Sequence, residues 1–451
     1  MSQGSPVTGE VELRALAAEE WRKLVRGERR RTAPLLDGEN AGPLARWFDL
    51  PIAADQVVRT ILDDVAENGD AAVRRWTHRL DGIEVAVPRV GRAEFDRAWE
   101  GVEQPLRNAL VAAAARIREI HVHQLDTAFK GTPTAQLRPL PLRRVGCYVP
   151  GGRAAYPSTV LMNVIPAQVA AVAEIAITSP PGPDGRVHPH VLAAARHLGV
   201  DEVHAIGGAQ AIGALAHGTE SVVAVDKITG PGNLFVTLAK RAVFGLVGID
   251  SLAGPSEILV IASTGADPRL VAADLVSQLE HDPLAWAVCL TDDPPLAEAV
   301  RAAFAEEASS AARSGIIAAA AGRHGAVVVV ESLNAALRLA DEFAAEHLSL
   351  QGDAAEALRH RPHTAGAVYV GRRSPVSIGD YVAGPNHTLP TGGAARFGGP
   401  LSVMDFQRWP SVVELSAAEF DALAPVACIL AEAEGLRGHE RAIRLRMEEP
   451  G

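Results

Sequence analysis

The chain reads as an α/β protein of two parallel-sheet domains, with small helical extensions at its two ends. Three observations predict this. Past Val145, short β-branched runs alternate with Ala-rich helical stretches, the order that a parallel sheet with crossover helices produces. Gly-rich turns stand where two of these strands pass into helices, Gly207-Gly208 after Ile206 and then Gly230-Pro231-Gly232-Asn233. The length, 451 residues, exceeds what one hydrophobic core usually serves, so two or more domains are expected.

Taken in order, the first forty-odd residues mix acidic and basic side chains, and Arg29-Arg30-Arg31 reads as a solvated helix face. From Ala53 to about Leu80, Val57, Ile61, Val65, Val73 and Trp76 recur at helical spacing, interrupted at Asn68-Gly69-Asp70. A second long helix is expected over 94–123. Strands over 174–178, 202–206 and 222–225 then alternate with helices over 191–198, 209–216 and 234–243. A further α/β stretch runs from a strand at 257–261 to one at 367–370. After about Leu401 an all-helical tail is expected, with segments at 416–420 and 425–446. There is no internal repeat and no low-complexity linker.

Composition excludes some function classes. Hydrophobic residues make up 48% and charged residues 22%, ordinary for a globular protein. A net charge of −11 argues against nucleic acid or an anionic membrane as the main partner. No basic segment followed by an apolar one opens the chain, and no apolar run approaches the roughly 20 residues that span a bilayer. A cytoplasmic enzyme acting on small molecules is the expectation. Cys147, Cys289 and Cys428 are too few and scattered for a disulfide framework. Cys289 and Cys428 lie in apolar runs and read as small buried hydrophobes. Cys147, beside a Pro-Gly-Gly turn, is the one cysteine worth considering for chemistry, although nothing basic adjoins it to lower its pKa.

Four features carry chemistry. The Gly-rich turns suggest a dinucleotide, but Gly230-Pro231-Gly232-Asn233-Leu234-Phe235 lacks the third glycine of the usual fingerprint, and no acidic residue for a ribose stands at the usual distance. On spacing alone two tight βα turns are the commoner explanation, and the spacing does not establish NAD. Gln278 and His281 are three apart at the end of a helical run, so both can point to one centre. Imidazole suits zinc and an amide oxygen is a less common ligand; a hydrogen-bonded helix end is the alternative. Glu346-His347 closes another helical run. Adjacent helical residues diverge, so the two can flank one reacting carbon only if the helix ends there, where a carboxylate and an imidazole could move protons. Otherwise they are a surface Glu and a His favoured by the helix dipole. Finally, residues 379–393 form a long loop of Gly, Pro and polar side chains, with Asp380 and His387 as candidate metal or substrate groups.

Seven blocks, in order, resemble the signature segments of the histidinol dehydrogenase family. They are Tyr148-Val149-Pro150-Gly151-Gly152, Gly207-Gly208-Ala209-Gln210-Ala211-Ile212, Asp226 through Asn233, Ala253-Gly254-Pro255-Ser256-Glu257, Ser277 through His281, Glu346-His347-Leu348, and Gly379-Asp380-Tyr381 through Pro390-Thr391. The resemblance extends from about Val57 to Arg446 and is weakest over the first forty residues. One departure is Val376, where relatives often carry Glu.

The resemblance implies Rossmann-like domains of the aldehyde-dehydrogenase type and a two-step oxidation. L-histidinol would pass through the aldehyde to L-histidine, with two NAD⁺ reduced in turn. Zinc would be held by Gln278, His281, Asp380 and His439. His347 would take the alcohol proton and Glu346 would activate water. Ser256, His387 and Glu434 match substrate-contacting positions, together with the zinc ligands and His347, while Tyr148, Gln210 and Asn233 match NAD positions. The implied organisation is an N-terminal helical extension at 1–45, a catalytic domain from 46–148 and 256–400, an NAD-binding domain at 149–255, and a tail at 401–451. The tail would place Glu434 and His439 in the other subunit's site of a homodimer. A relative acting on another polar alcohol, such as a sulfonated diol, is the alternative on the same scaffold.

Overall fold

The computed structural model describes residues 11–32, 53–85, 88–125, 134–151, 155–361 and 363–448. The side chains of Arg29-Arg30-Arg31, residues 1–10 and 33–45 of the expected N-terminal extension, and residues 46–52 lie outside the described residues.

Two all-parallel sheets organise the chain. The first has five strands in the order β6-β5-β4-β7-β8: β4 (Arg144–Tyr148), β5 (Glu174–Ser179), β6 (Val203–Ala205), β7 (Lys227–Thr229) and β8 (Gly248–Ile249). The second has six, in the order β1-β11-β10-β9-β12-β13: β1 (Arg14–Ala17), β9 (Glu257–Ala262), β10 (Trp286–Thr291), β11 (Gly325–Val329), β12 (His347–Gln351) and β13 (Ala367–Val370). Crossover helices cover both faces, so the central strands must be apolar on both sides. Every residue of β9, β10 and β12 is buried accordingly. Two antiparallel ribbons, β14 (Gln407–Arg408) on β3 (Leu140–Pro141) and β15 (Ser411–Val413) on β2 (Ala135–Leu137), tie the region after Leu401 to the segment before β4.

The helix Ala54–Asp81 is kinked at Gly69, whose φ of 51° and ψ of −132° leave the helical region, where Asn68-Gly69-Asp70 predicted a break. Its buried stripe of Val57, Val58, Ile61, Leu62 and Val65 packs on helices Gly208–His217 and Leu234–Val243. The helix expected over 94–123 is two, Arg92–Gly101 and Gln104–Leu125. Pro105, in the first turn of the second helix, favours this, because proline opens a helix readily and disfavours continuing one. The strand expected over 222–225 is irregular; the strand itself is Lys227–Thr229. Val222 and Val225 are buried, and β-branched burial without ladder pairing looks identical in sequence.

The ends differ from expectation too. The N-terminal segment is not wholly helical, since Arg14–Ala17 pairs in parallel with β11 and completes the six-stranded sheet. The described helices between 54 and 125, expected to belong with 256–400, pack on the five-stranded sheet unit instead, and β4 is that sheet's central strand. The tail is not all-helical before Ser416. Beyond it, one helix, Ala417–Ala433, runs through Pro425. A capping box between Ser416 and Glu419 starts this helix. Ala424, Cys428 and Ala431 form its buried stripe, against the helix Arg437–Glu448, and one missing N–H at Pro425 does not outweigh that packing.

The five-stranded sheet is laced at its strand starts. Arg144, almost fully buried, binds Glu174 Oε2 at 2.9 Å and Glu202 Oε1 at 2.5 Å, and His204 Nε2 lies 2.9 Å from the same Glu202 oxygen. Burial alone would raise the Glu202 pKa, but hydrogen bonds from His204 and Arg144 outweigh it and bring it down to about 2. A folded-state pKa below the unfolded one stabilises fully above about pH 5, and this is lost as pH falls toward 2. Urea titrations across that window should lose up to about 3 kcal/mol in the native protein. Glu202→Gln should be less stable at neutral pH and should lack that part of the slope.

Candidate active site

Strand register assembles the reactive cluster. β12 starts at His347, opposite Ile258 of β9, so Glu346 lies beside Glu257 at the amino ends of both strands. The helix Leu333–Phe343 stops at Ala344, which takes the left-handed conformation at φ 53°. Glu346 and His347 are therefore not a helix end on the surface. They enter a strand and are 7% and 4% exposed. The two glutamates brace each other reciprocally: Glu257 N donates to Glu346 Oε2 at 2.9 Å, and Glu346 N donates to Glu257 Oε2 at 3.2 Å. Gly392 N donates to the other Glu257 oxygen at 3.1 Å, tying the 382–393 loop to this point. Burial, then the charges of Glu257 and Asp380, raise the Glu346 pKa well above the usual range, and the Glu257 N–H only partly offsets this.

His347 Nδ1 lies 3.0 Å from Glu257 O. A carbonyl only accepts, so the ring proton resides on Nδ1 and Nε2 carries a free lone pair. Nε2 is buried and has no hydrogen-bond partner among the described residues; Asp380 Oδ1 is 3.9 Å away. Burial lowers the His347 pKa to about 4, so the imidazole is neutral and competent as a base.

Asp380 does not lie in an irregular loop as expected, but in the short helix Val376–Tyr381. Val376 is 1% exposed in an apolar cluster, so a valine suits that position. Gly379 has no room for a side chain, since a Cβ there would collide with Tyr369, whose ring lies 5.9 Å from that of His347. His387 Nδ1 donates to Asp380 O at 2.8 Å, and its Nε2 faces Thr159 Oγ1 at 3.5 Å. Burial lowers the His387 pKa to about 4.

The helix Pro268–Leu279 carries Gln278 and packs against the Asp380 helix. His281 stands one residue past the Glu280 cap, and its charge bears on both His347 and His387. Ser256 immediately precedes β9. Thus Ser256, Gln278, His281, Glu346, His347, Asp380 and His387 occupy one region of the chain. Glu434 and His439 do not join them, and stand exposed on the tail. Glu257 is the participant that sequence reasoning passed over. It stands in a quoted motif, but only the fold reveals that it braces Glu346 and orients His347.

The donor chemistry fits a divalent metal. Asp380 is a mostly buried carboxylate that accepts no hydrogen bond among the described residues, and burial pushes its pKa up to about 7. A buried anion without donors needs a cation. Gln278 is 3% exposed, and neither it nor His281 makes a side-chain hydrogen bond among the described residues. Among these residues no three His, Cys, Asp or Glu side chains form a cage; one chain offers an imidazole, a carboxylate and an amide.

A cleft of about 700 Å³ opens at the carboxyl ends of the five-stranded sheet, lined by Tyr148, Gly207, Gly208, Gln210 and Asn233 among others. The amino ends of helices Gly208–His217 and Leu234–Val243 meet it, and such ends favour phosphate. Gly208 N donates to the Tyr148 hydroxyl at 3.2 Å, and Gln210 Oε1 is buried without a partner among the described residues. Asn233 Oδ1 caps its helix through Phe235 N and Val236 N. At Gly230, φ is 109° and a Cβ would collide with Tyr148 O, so only glycine lets the turn close on β4. Lys240 and Asp250, both buried, form an ion pair that grips this turn: Lys240 Nζ donates to Gly230 O at 3.0 Å and Asp250 Oδ2 accepts from Gly230 N at 2.7 Å. Cys147 is fully buried beneath the cleft and burial pushes its thiol up to about 12. It is a packing residue, as are Cys289 and Cys428; all three are buried and free.

Comparison with known proteins agrees with this geometry. The family model described as histidinol dehydrogenase matches residues 51–447. The chain is 50% identical over 394 residues to a histidinol dehydrogenase of Parasynechococcus marenigrum, covering 86% of this chain and 90% of that protein. It is 46% identical over 396 residues to that of Bacillus subtilis, covering 87% and 92%. The crystal structure of histidinol dehydrogenase from Elizabethkingia anophelis superposes with a TM-score of 0.87 at 31% identity, covering 97% of this chain and 98% of that one. The chain belongs to the histidinol dehydrogenase family.

Proposed function

We propose that this chain oxidises L-histidinol through L-histidinal to L-histidine, with two NAD⁺ reduced in turn, in the cytoplasm. The observation that carries the reading is the buried pair of Glu346 and His347, whose proton-transfer atoms are set by Glu257. Nothing favours a sulfonated diol, since the relatives and the crystal structure above all bear the histidinol dehydrogenase name. Among the described residues no helix is long and apolar enough to cross a membrane.

His347 Nε2 would take the hydroxyl proton, and NAD⁺, which Tyr148, Gln210 and Asn233 would hold in the cleft, would supply the acceptor for the alcohol carbon's hydride. Glu346 would then take a proton from water as the water oxygen adds to the aldehyde carbon, and a second NAD⁺ would supply the acceptor for the hydride of the resulting hydrate. The raised proton affinity of Glu346 suits that task. Gln278, His281 and Asp380 would hold zinc with His439 from a second copy, and the metal would supply charge that binds and orients substrate. Ser256, His387 and Glu434 would contact the substrate. The unit around residues 149–255 would hold NAD⁺ and that of 256–400 the metal.

Two features of the tail support the homodimer reading. Leu423, Val426, Ile429 and Leu430 are 53%, 56%, 66% and 59% exposed on one helix, and the helix after it buries no residue. His439 and Glu434 would reach the partner's site across that apolar surface.

His281→Ala and Asp380→Ala should each lose zinc and activity together while remaining dimeric. Metal analysis alongside turnover and light scattering checks this, and full zinc occupancy in either variant would remove that residue from the shell. Glu346→Gln should damage oxidation of supplied histidinal more than oxidation of histidinol to the aldehyde. His347→Asn should do the reverse, because an amide cannot take the proton. Equal losses in both half-reactions for both variants would refute the division of labour. Co-refolding equal amounts of inactive His281→Ala and His439→Ala chains makes about half the dimers mixed, each with one intact site, so roughly a quarter of native activity should return. No recovery, with heterodimers shown to form, would place each tail on its own subunit.

A further inference from the structure

We propose that Asp81 makes the dinucleotide cleft select NAD⁺ over NADP⁺. This rests on the reading that NAD⁺ binds in the cleft beside Tyr148 and Gln210. Among the described residues that line the cleft, Asp81 is the one charged side chain, and no Arg, Lys or His lines it. A ribose 2′-hydroxyl can donate to a carboxylate, whereas a 2′-phosphate needs a cation there and is repelled by an anion.

Asp81 is placed for the role. It ends the helix Ala54–Asp81, and Gly82 turns the chain away at φ 72°. The side chain is exposed and makes no hydrogen bond or ion pair among the described residues. Burial raises the Tyr148 hydroxyl's pKa to about 12, with the Asp81 charge adding to the shift, so the carboxylate lies near the mouth of the first Gly-rich turn. The neighbouring Arg79 lies over the Trp76 ring at 5.2 Å. The Ala54–Asp81 helix packs on helices Gly208–His217 and Leu234–Val243 of the five-stranded unit. Glu346 and His347 belong to the other sheet. The nicotinamide must reach that centre, and the adenosine ribose is assigned to the cleft beside Asp81. The usual ribose acid follows the Gly-rich turn in sequence; here the equivalent chemistry comes from an earlier helix.

The test compares kcat/KM for NAD⁺ and NADP⁺, with L-histidinol, in the native dimer and in Asp81→Asn and Asp81→Ser. Calorimetry on the same proteins compares AMP with 2′-phospho-AMP, which needs no turnover and no hydride transfer. Loss of one like charge beside a phosphate should reduce the NAD⁺ to NADP⁺ preference by about tenfold or more, mainly through KM for NADP⁺. Binding of 2′-phospho-AMP relative to AMP should rise in parallel. Unchanged ratios in both measurements overturn the proposal. Gln210→Ala separates the two ideas. If it raises KM for NAD⁺ while Asp81→Asn leaves the ratios unchanged, Asp81 alone has been misassigned. If it leaves NAD⁺ binding untouched, the cleft is not the dinucleotide site and the selectivity assignment falls with it.

Discussion

The reciprocal bonds between Glu257 and Glu346 are the constraint on which the reactive centre depends. Each carboxylate accepts from the other residue's backbone N–H, so the spacing of β9 and β12 and the placement of both acids are one fact. Glu257 also accepts from Gly392 N and presents its carbonyl to His347 Nδ1. One residue thereby sets the position of the Glu346 carboxylate, the tautomer of His347 and the path of the loop that carries His387. Buried polar groups held this way cannot relax separately. The consequence is a base nitrogen and a carboxylate preorganised with little freedom to reorient.

The cleft and the reactive centre lie at opposite ends of the strands of their respective sheets. The cleft opens at the carboxyl ends of β4, β6 and β7, the usual place for a ligand in an open α/β sheet. Glu257 and His347 instead stand at the amino ends of β9 and β12. The helix Pro268–Leu279 delivers Gln278 to the same side, ahead of β10. Electrostatics differ accordingly. Among the described residues the cleft carries one exposed carboxylate, whereas the reactive centre gathers buried acids and imidazoles whose neutral forms are favoured by lost solvation. Asp380 is at the margin of that centre, where a cation would offset its burial most directly.

Helices with strong periodicity were legible. The stripe from Val57 to Trp76 and the break at Asn68-Gly69-Asp70 appear as a kinked helix, and Leu234–Val243 agrees to the residue. Local chemistry fails where tertiary contacts decide. Val222 and Val225 bury themselves without joining a ladder, the helix past Ser416 runs through Pro425 because a small-residue stripe packs there, and Arg14–Ala17 is a strand because β11 offers an edge.

By itself the sequence determined the α/β class, through strand and helix periodicities that local side-chain geometry imposes, and the identity of the reactive groups, through motifs that name residue types. Tertiary structure alone decided what those groups can do. Glu346 and His347 are adjacent in the chain and read equally well as a surface pair. Their burial between the strands raises the proton affinity of the carboxylate, and the free Nε2 follows from the Glu257 carbonyl, 90 residues away, which holds Nδ1. Asp81 is silent in sequence because its meaning lies in lining the same cleft as Tyr148, whose walls come from distant segments. Protonation and selectivity depend on desolvation and on the distance between charges, and neither quantity exists until the chain has folded.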